Sequence, residues 1–260
     1  MLPYTTYLID LDGVVYRGNE LLPGARAFID WLNANPKKYL FLTNNSFASG
    51  TQILEKLAHL GIIASEEHLL TAGQAAIQNI ARRLPGCRVY VVGEQPLIDL
   101  VKAQGLHVVP SESASADAVL IGLDRSFTYQ KLTNAAEAVR SGALFITINR
   151  DPTLPVVGGF VPGTGSLAAA VECASGVNPE VVGKPEPMLL REAMRQLDST
   201  PEETVMVGDG LGIDILAGQR AGTHTLLVLS GSSSRADVEK SAVKPERIYT
   251  DLAAVMQELA

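Results

Sequence analysis

Cysteine is scarce in this chain: two in 260 residues, Cys87 and Cys173, with no C-x-x-C pair. That excludes a small disulfide-stapled scaffold and reads as reduced, cytoplasmic thiols packing as small apolar groups. Histidine is also scarce. His59, His68, His107 and His224 are scattered, with no spacing of the H-x-x-x-H kind that would hold zinc. An excess of basic residues is missing, since the formal net charge is −7. A nucleic-acid polymer is therefore not an expected partner. Long apolar runs are missing as well. The opening MLPYTTYLIDLDGVVYRG has no basic leader, and Asp10 and Asp12 interrupt it early. Neither a signal peptide nor a membrane span is expected there, and no other stretch reaches the uncharged length a bilayer needs. The sequon at Asn44-Asn45-Ser46 therefore carries no weight.

What the chain does have is alternation. Short apolar runs rich in Val, Ile, Leu and Tyr are separated by longer amphipathic stretches. Strands are expected at Tyr7–Asp10, Tyr39–Thr43, Arg88–Val92, Ala118–Gly122, Leu144–Ile148, Thr204–Gly208 and His224–Leu229. Helices are expected at Ala25–Ala34, Ser49–Leu60, Ala72–Leu84, Pro96–Gln104, Tyr129–Ser141, Ser166–Ser175, Pro187–Leu197 and Asp214–Ala221. Such alternation predicts an α/β fold with a mostly parallel sheet. Runs that are apolar throughout fit strands covered on both faces. The stretch Asn149–Gly165, with three prolines and four glycines, reads as a long loop.

Polar residues suited to phosphate chemistry sit beside several of the apolar runs. Tyr7-Leu8-Ile9 ends in Asp10-Leu11-Asp12-Gly13, and Tyr39-Leu40-Phe41-Leu42 ends in Thr43-Asn44-Asn45. Val205-Met206-Val207 ends in Gly208-Asp209, and Val181-Val182 leads to Gly183-Lys184-Pro185. In open α/β sheets ligands bind outside the carboxyl ends of the strands. If these strands are neighbours, all four groups converge on one crevice. Asp10 and Asp12, two apart on a strand end, can lean the same way. With Asp209 and Asp214 they place four acids in one pocket, and a hard divalent cation such as Mg²⁺ relieves the repulsion. Lys184 offers a point charge for a phosphoryl group and Thr43 a hydroxyl donor. Each residue alone has an ordinary explanation: Asp-Gly turns, helix caps and solvated lysines are common. Their joint occurrence in this order carries the reading.

These residues resemble the haloacid dehalogenase superfamily of phosphatases. Its four motifs are matched by Asp10-Leu11-Asp12-Gly13-Val14, Thr43-Asn44-Asn45, Lys184-Pro185, and Gly208-Asp209 with Asp214. LLPGA, FLTNNS, YVVGE, VGKPEP and VGDGLGIDILAGQRAG are similar to its NagD-like, nitrophenylphosphatase-type branch. The resemblance implies a Rossmann-like parallel-sheet core, residues 1–76 plus 180–260, with a smaller α/β cap inserted over 77–179 and a flap at Gly13–Gly18. It implies Asp10 as nucleophile, Asp12 as general acid and base, and Lys184 as the charge-offsetting lysine. Thr43 and the backbone near Asn44 would bind phosphate. Mg²⁺ would be held by Asp10, Asp209 and the Asp12 carbonyl, with Asp214 acting through water or orienting the others. Ile213 stands where the branch usually has Thr, and the loss of that hydroxyl implies weaker metal binding rather than inactivity.

The expected partner is a phosphorylated small molecule, and the sequence leaves a homo-oligomer open. In capped members the cap supplies much of the substrate contact. Asn149 and Asp151 match an Asn-x-Asp element of the branch, with Arg150 replacing the usual proline. A plain turn after a strand explains them equally well. Arg125 and Tyr129 read as cap surface. Gly163-Thr164-Gly165-Ser166 lacks the Lys-Ser/Thr of a P-loop and reads as a helix start with Ser166 near the cap. Two other classes compete: another superfamily reaction, such as phosphomutase, and a noncatalytic phosphometabolite-binding protein. Asp12 speaks against dehalogenation, since a halide needs no proton.

Overall fold

Strands that are apolar on both faces must be covered on both faces, and this chain contains two sheets built that way. The computed structural model describes residues 3–44, 49–113, 115–156 and 158–259. It divides into two units. The first joins Met1–Thr43, Gly50–Leu70 and Lys184–Ala260, and the second joins Asn44–Ser49 with Thr71–Gly183.

The first unit carries a six-stranded sheet in the order Arg247–Tyr249, His224–Val228, Thr204–Gly208, Thr6–Asp10, Lys38–Thr43, Leu69–Thr71. From Arg247–Tyr249 across to Lys38–Thr43 the neighbours pair in parallel. Thr6–Asp10 lies in the middle, with Tyr7, Leu8 and Ile9 wholly buried. The register decides what happens at the sheet edge. Ile9 pairs with Val207 on one side and Phe41 on the other, and Asp10 pairs with Leu42. Asp10 is therefore level with Gly208, and Thr43 and Asp209 each lie one residue beyond that line. Parallel pairing puts the three carboxyl ends on the same edge. Helix Ala25–Ala34 buries Ala25, Phe28, Ile29 and Leu32, a spacing that keeps one face inward. A small hairpin, Tyr16–Arg17 against Glu20–Leu21, follows the first strand.

The second unit carries a five-stranded parallel sheet in the order Glu180–Val181, Leu144–Thr147, Ala118–Ile121, Arg88–Val92, His107–Val108. Tyr90, Val92, Val119, Ile121 and Phe145 pack with Ala135, Ala138 and Val139 of helix Tyr129–Arg140 and with Ala168 and Val171 of helix Thr164–Ser175. Helix Ala72–Arg83 opens on a capping box, in which Thr71 and Gln74 exchange side-chain to backbone bonds of 3.1 and 2.9 Å.

The mixed α/β class with parallel sheets is as expected, and helix Ala25–Ala34 runs over the expected residues. Two local expectations are overturned. The stretch Asn149–Gly165 is no plain loop. It holds an antiparallel hairpin, Thr153–Val156 with Gly159–Pro162, turning at Gly158, whose φ of +88° suits glycine. Its prolines and glycines hid it, because in a two-stranded ribbon both strands are edges and tolerate proline. The helix after this hairpin enters where expected, with Gly163 at its cap and Ser166 in its first turn, and Ser166 Oγ donates to the Pro152 carbonyl at 2.6 Å. Asp214 does not begin an α-helix. It lies in a wide helical turn, Leu211–Ile215, in which the N–H groups of Ile213, Asp214 and Ile215 converge on the Gly210 carbonyl. Short elements such as Leu69–Thr71, Arg247–Tyr249, Arg235–Lys240 and Leu252–Leu259 carried too few residues to show a period. Asn45 lies outside the described residues, and no described helix is long and apolar enough to cross a membrane.

Candidate active site

The edge set by that register gathers a buried cation and three carboxylates. Lys184 Nζ lies 2.8 Å from Asp10 Oδ1 and 2.7 Å from Asp214 Oδ1, with its side chain almost wholly buried. Asp214 is held from the other side too, where its Oδ2 accepts the N–H of Asp209 at 3.2 Å and of Gly210 at 3.0 Å. One oxygen each from Asp10, Asp209 and Asp214 lie within 4.8 Å of one another.

Glycine is required where these acids meet backbone. A Cβ on Gly208 would stand 2.1 Å from the Asp214 Cβ, and one on Gly231 would stand 2.0 Å from Asp209 Oδ2. Gly13, at φ +83°, is closed in by Asp209 in the same way.

Sequence reasoning missed the wall that holds Asp209. The Ser232 N–H donates to Asp209 Oδ2 at 2.5 Å, Ser233 N–H to the Asp209 carbonyl at 3.2 Å, and Ser233 Oγ accepts the Leu211 N–H at 3.0 Å. Ser230 Oγ donates to the Gly13 carbonyl at 2.7 Å, and Arg17 of the small hairpin donates to the Ser230 carbonyl. A signal was available: Ser230-Gly231-Ser232-Ser233 follows the apolar run His224–Val228, one more polar group after a strand.

Asp12 is exposed, two residues beyond Asp10, with a backbone bridge to Tyr16. Thr43 is buried at the end of its strand. Asn44, Asn149 and Asp151 belong to the second unit. There the Asn149 amide donates to the Asn44 carbonyl at 3.1 Å and its Oδ1 accepts the Asp151 N–H at 3.2 Å, while Asp151 is exposed. Ile213 is about half exposed on the turn before Asp214.

Two family models match the chain, "Haloacid dehalogenase-like hydrolase" over residues 7–107 and a HAD-hydrolase-like model over 181–255. An acid sugar phosphatase of Staphylococcus saprophyticus is 38% identical over 259 residues, covering 100% of this chain and 99% of the relative. The 5′-nucleotidase YutF of Bacillus subtilis is 40% identical over 97% of both chains. Among solved structures, a point mutant of the thermostable p-nitrophenylphosphatase from Bacillus stearothermophilus superposes with a TM-score of 0.88 at 39% identity, covering 97% of this chain and 98% of that one. NagD from E. coli K-12 gives 0.88 at 34%, with the same coverage.

The chain belongs to the haloacid dehalogenase-like hydrolases. Its class within them is phosphatase.

The electrostatics of this hydrolase follow from crowding. Burial pushes the Asp10 carboxyl well above the ordinary carboxylate range; Lys184 opposes that, and Asp214 and Asp209 add to it. Asp209 is raised by burial and by Asp214, against the Ser232 donors and Lys184. Asp12 is exposed as a residue, but partial loss of water around its carboxyl raises it, with Lys56 and then Lys184 opposing. Burial works against the Lys184 ammonium, but Asp10 and Asp214 outweigh it and hold the proton on. One ammonium thus faces more carboxylate charge than it can neutralise, which is the donor set a hard divalent cation fits.

A pH dependence of stability follows. Asp10, Asp12 and Asp209 bind their protons more tightly in the folded chain than in the unfolded one. Their contribution is complete below about pH 4, the unfolded value, and is lost as pH rises through the elevated folded values. In EDTA, Tm should fall as pH rises above about 4, and Asp10→Asn should make that fall shallower. Equal slopes in the two proteins would show that Asp10 is not under this strain.

Proposed function

We propose that this hydrolase cleaves small-molecule phosphate monoesters, sugar phosphates and nucleotides among them, through an aspartyl-phosphate on Asp10, with Mg²⁺ as cofactor. The observation that carries the reading is Lys184, buried between Asp10 and Asp214 beside Asp209 at the ends of three parallel strands. The substrate range draws on the two relatives named as acid sugar phosphatase and 5′-nucleotidase.

In the first half of the reaction an Asp10 carboxylate oxygen attacks phosphorus and the bond to the leaving oxygen breaks. Asp12, exposed two residues along, gives its proton to that oxygen. Thr43 and the backbone at Asn44 hold phosphoryl oxygens, and Lys184 offsets the charge that Asp10 shares with the phosphoryl group. In the second half Asp12 takes a proton from water as the water attacks phosphorus, and Asp10 leaves as carboxylate. Asp10, Asp209 and the Asp12 carbonyl would hold the Mg²⁺, whose chemistry is to neutralise charge on the transferring group. Asp214, with one oxygen on Lys184 and the other on two backbone N–H groups, orients the ammonium and the 209–210 turn. By the family resemblance the second unit is the cap, and Asn149 and Asp151 are its candidate substrate contacts. Asn149 fixes Asn44 in place, and Asp151 is exposed to solvent, where a ligand can reach it.

Three measurements test this. Asp10→Asn should fold and lose turnover; a kcat above about 1% of wild type would overturn the covalent route. Mg²⁺ should raise the Tm of the EDTA-treated protein, and Asp209→Asn should abolish that rise; a rise that survives the substitution places the cation elsewhere. Asp12→Asn should slow alkyl phosphates about 10²–10⁴-fold and p-nitrophenyl phosphate much less, because nitrophenolate leaves without a proton. Equal losses would remove Asp12 from proton transfer.

A further inference from the structure

The reaction accounts for Lys184 but leaves a second cation unexplained. Lys56 lies on helix Gly50–His59 in the first unit. Its ammonium sits 3.7 Å from the centroid of the Tyr16 ring, close enough for a strong cation–π contact. Tyr16 is buried and bridges through its backbone to Asp12. The ring, and the ammonium resting on it, therefore belong to the residue paired with Asp12. Of the two cations that act on Asp12, Lys56 acts more strongly than Lys184.

The two lysines differ in what they already hold. Lys184 is divided between Asp10 and Asp214. Lys56 is partly buried and forms no ion pair within 4 Å among the described residues. A half-buried ammonium held by an aromatic face keeps donors to give, and its stem is fixed in place by helix and ring. Glu55, its neighbour in the chain, is exposed and makes no ion pair with it.

We infer that Lys56 is a specificity-determining residue that favours substrates whose leaving group carries its own anion, a carboxylate or a second phosphate, over neutral alcohols. This rests on the reading of Asp10 and Asp12 given above. A purely structural role is the alternative: the cation–π contact would simply fasten the helix to the small hairpin. That role would weaken all substrates alike.

A matched pair separates the two. 3-Phosphoglycerate and glycerol 3-phosphate differ only in a far-end carboxylate against a hydroxymethyl group. Wild type should favour 3-phosphoglycerate in kcat/KM. Lys56→Met, which keeps the apolar stem over the ring, should lower kcat/KM for 3-phosphoglycerate about tenfold or more, mostly through KM. Glycerol 3-phosphate and p-nitrophenyl phosphate should change less than about threefold, and Lys56→Arg should recover most of the preference. A wild-type preference for glycerol 3-phosphate, or equal losses on all three substrates, would overturn the assignment. Asp10→Asn in the same assays keeps the two readings apart. If it is dead and Lys56→Met shows no selectivity, only the role of Lys56 falls; if Asp10→Asn turns over, the reaction itself has been misread.

Discussion

A single buried ammonium organises the first unit's sheet edge. Lys184 is drawn from water by its surroundings, and burial alone would favour its neutral form. It stays charged because Asp10 and Asp214 close on it at 2.8 and 2.7 Å. Removing either partner would leave the buried ammonium with one counter-ion where it now has two. The surrounding parts answer to that demand. The wide turn at Leu211–Ile215 swings Asp214 back under the 209–210 backbone, and Gly208 leaves room for its carboxyl. The parallel register brings Asp10 to the height where it can complete the bridge.

The same constraint leaves the site overcharged. Three carboxylates in reach of one another exceed what one lysine balances. The stripped protein therefore holds repulsion that a divalent cation would relieve on binding. The serine wall, Ser230–Ser233, limits how far the acids can relax. It pins Asp209 through backbone N–H groups and ties the Gly13 turn to the same loop. Backbone donors cannot rotate away, so the geometry is fixed before any ligand arrives.

Lys56 marks the other side of this distribution of charge. Lys184 is committed to the acids, whereas Lys56 rests on the Tyr16 ring and retains its donors. The two cations thus differ in what they meet: Lys184 is bonded to Asp10, and Lys56 acts on Asp12 from its seat on the Tyr16 ring.

Much of this was legible from the order of residues. Apolar runs ending in Asp10, Thr43 and Asp209 determined that these groups share a sheet edge, since parallel strands in α/β sheets present their carboxyl ends together. Helix Ala25–Ala34 could be read from its periodicity. What only the tertiary structure decided depends on contacts between residues far apart in sequence. Lys184 meets Asp10 from a distant part of the chain, and nothing local specifies that meeting. The serine wall reaches Asp209 from a separate strand, and its short polar side chains resemble any loop until the backbone N–H groups are seen to point inward. The hairpin Thr153–Val156 with Gly159–Pro162 was hidden by the prolines and glycines that usually end strands. Lys56 sits on a helix whose exposed face looks ordinary; only the packing of that helix against Tyr16 places its charge near Asp12. Local sequence determines which groups a strand or helix can present, because period and propensity are local. Which groups end up within hydrogen-bond reach is a matter of register and packing, and those are settled by the whole chain at once.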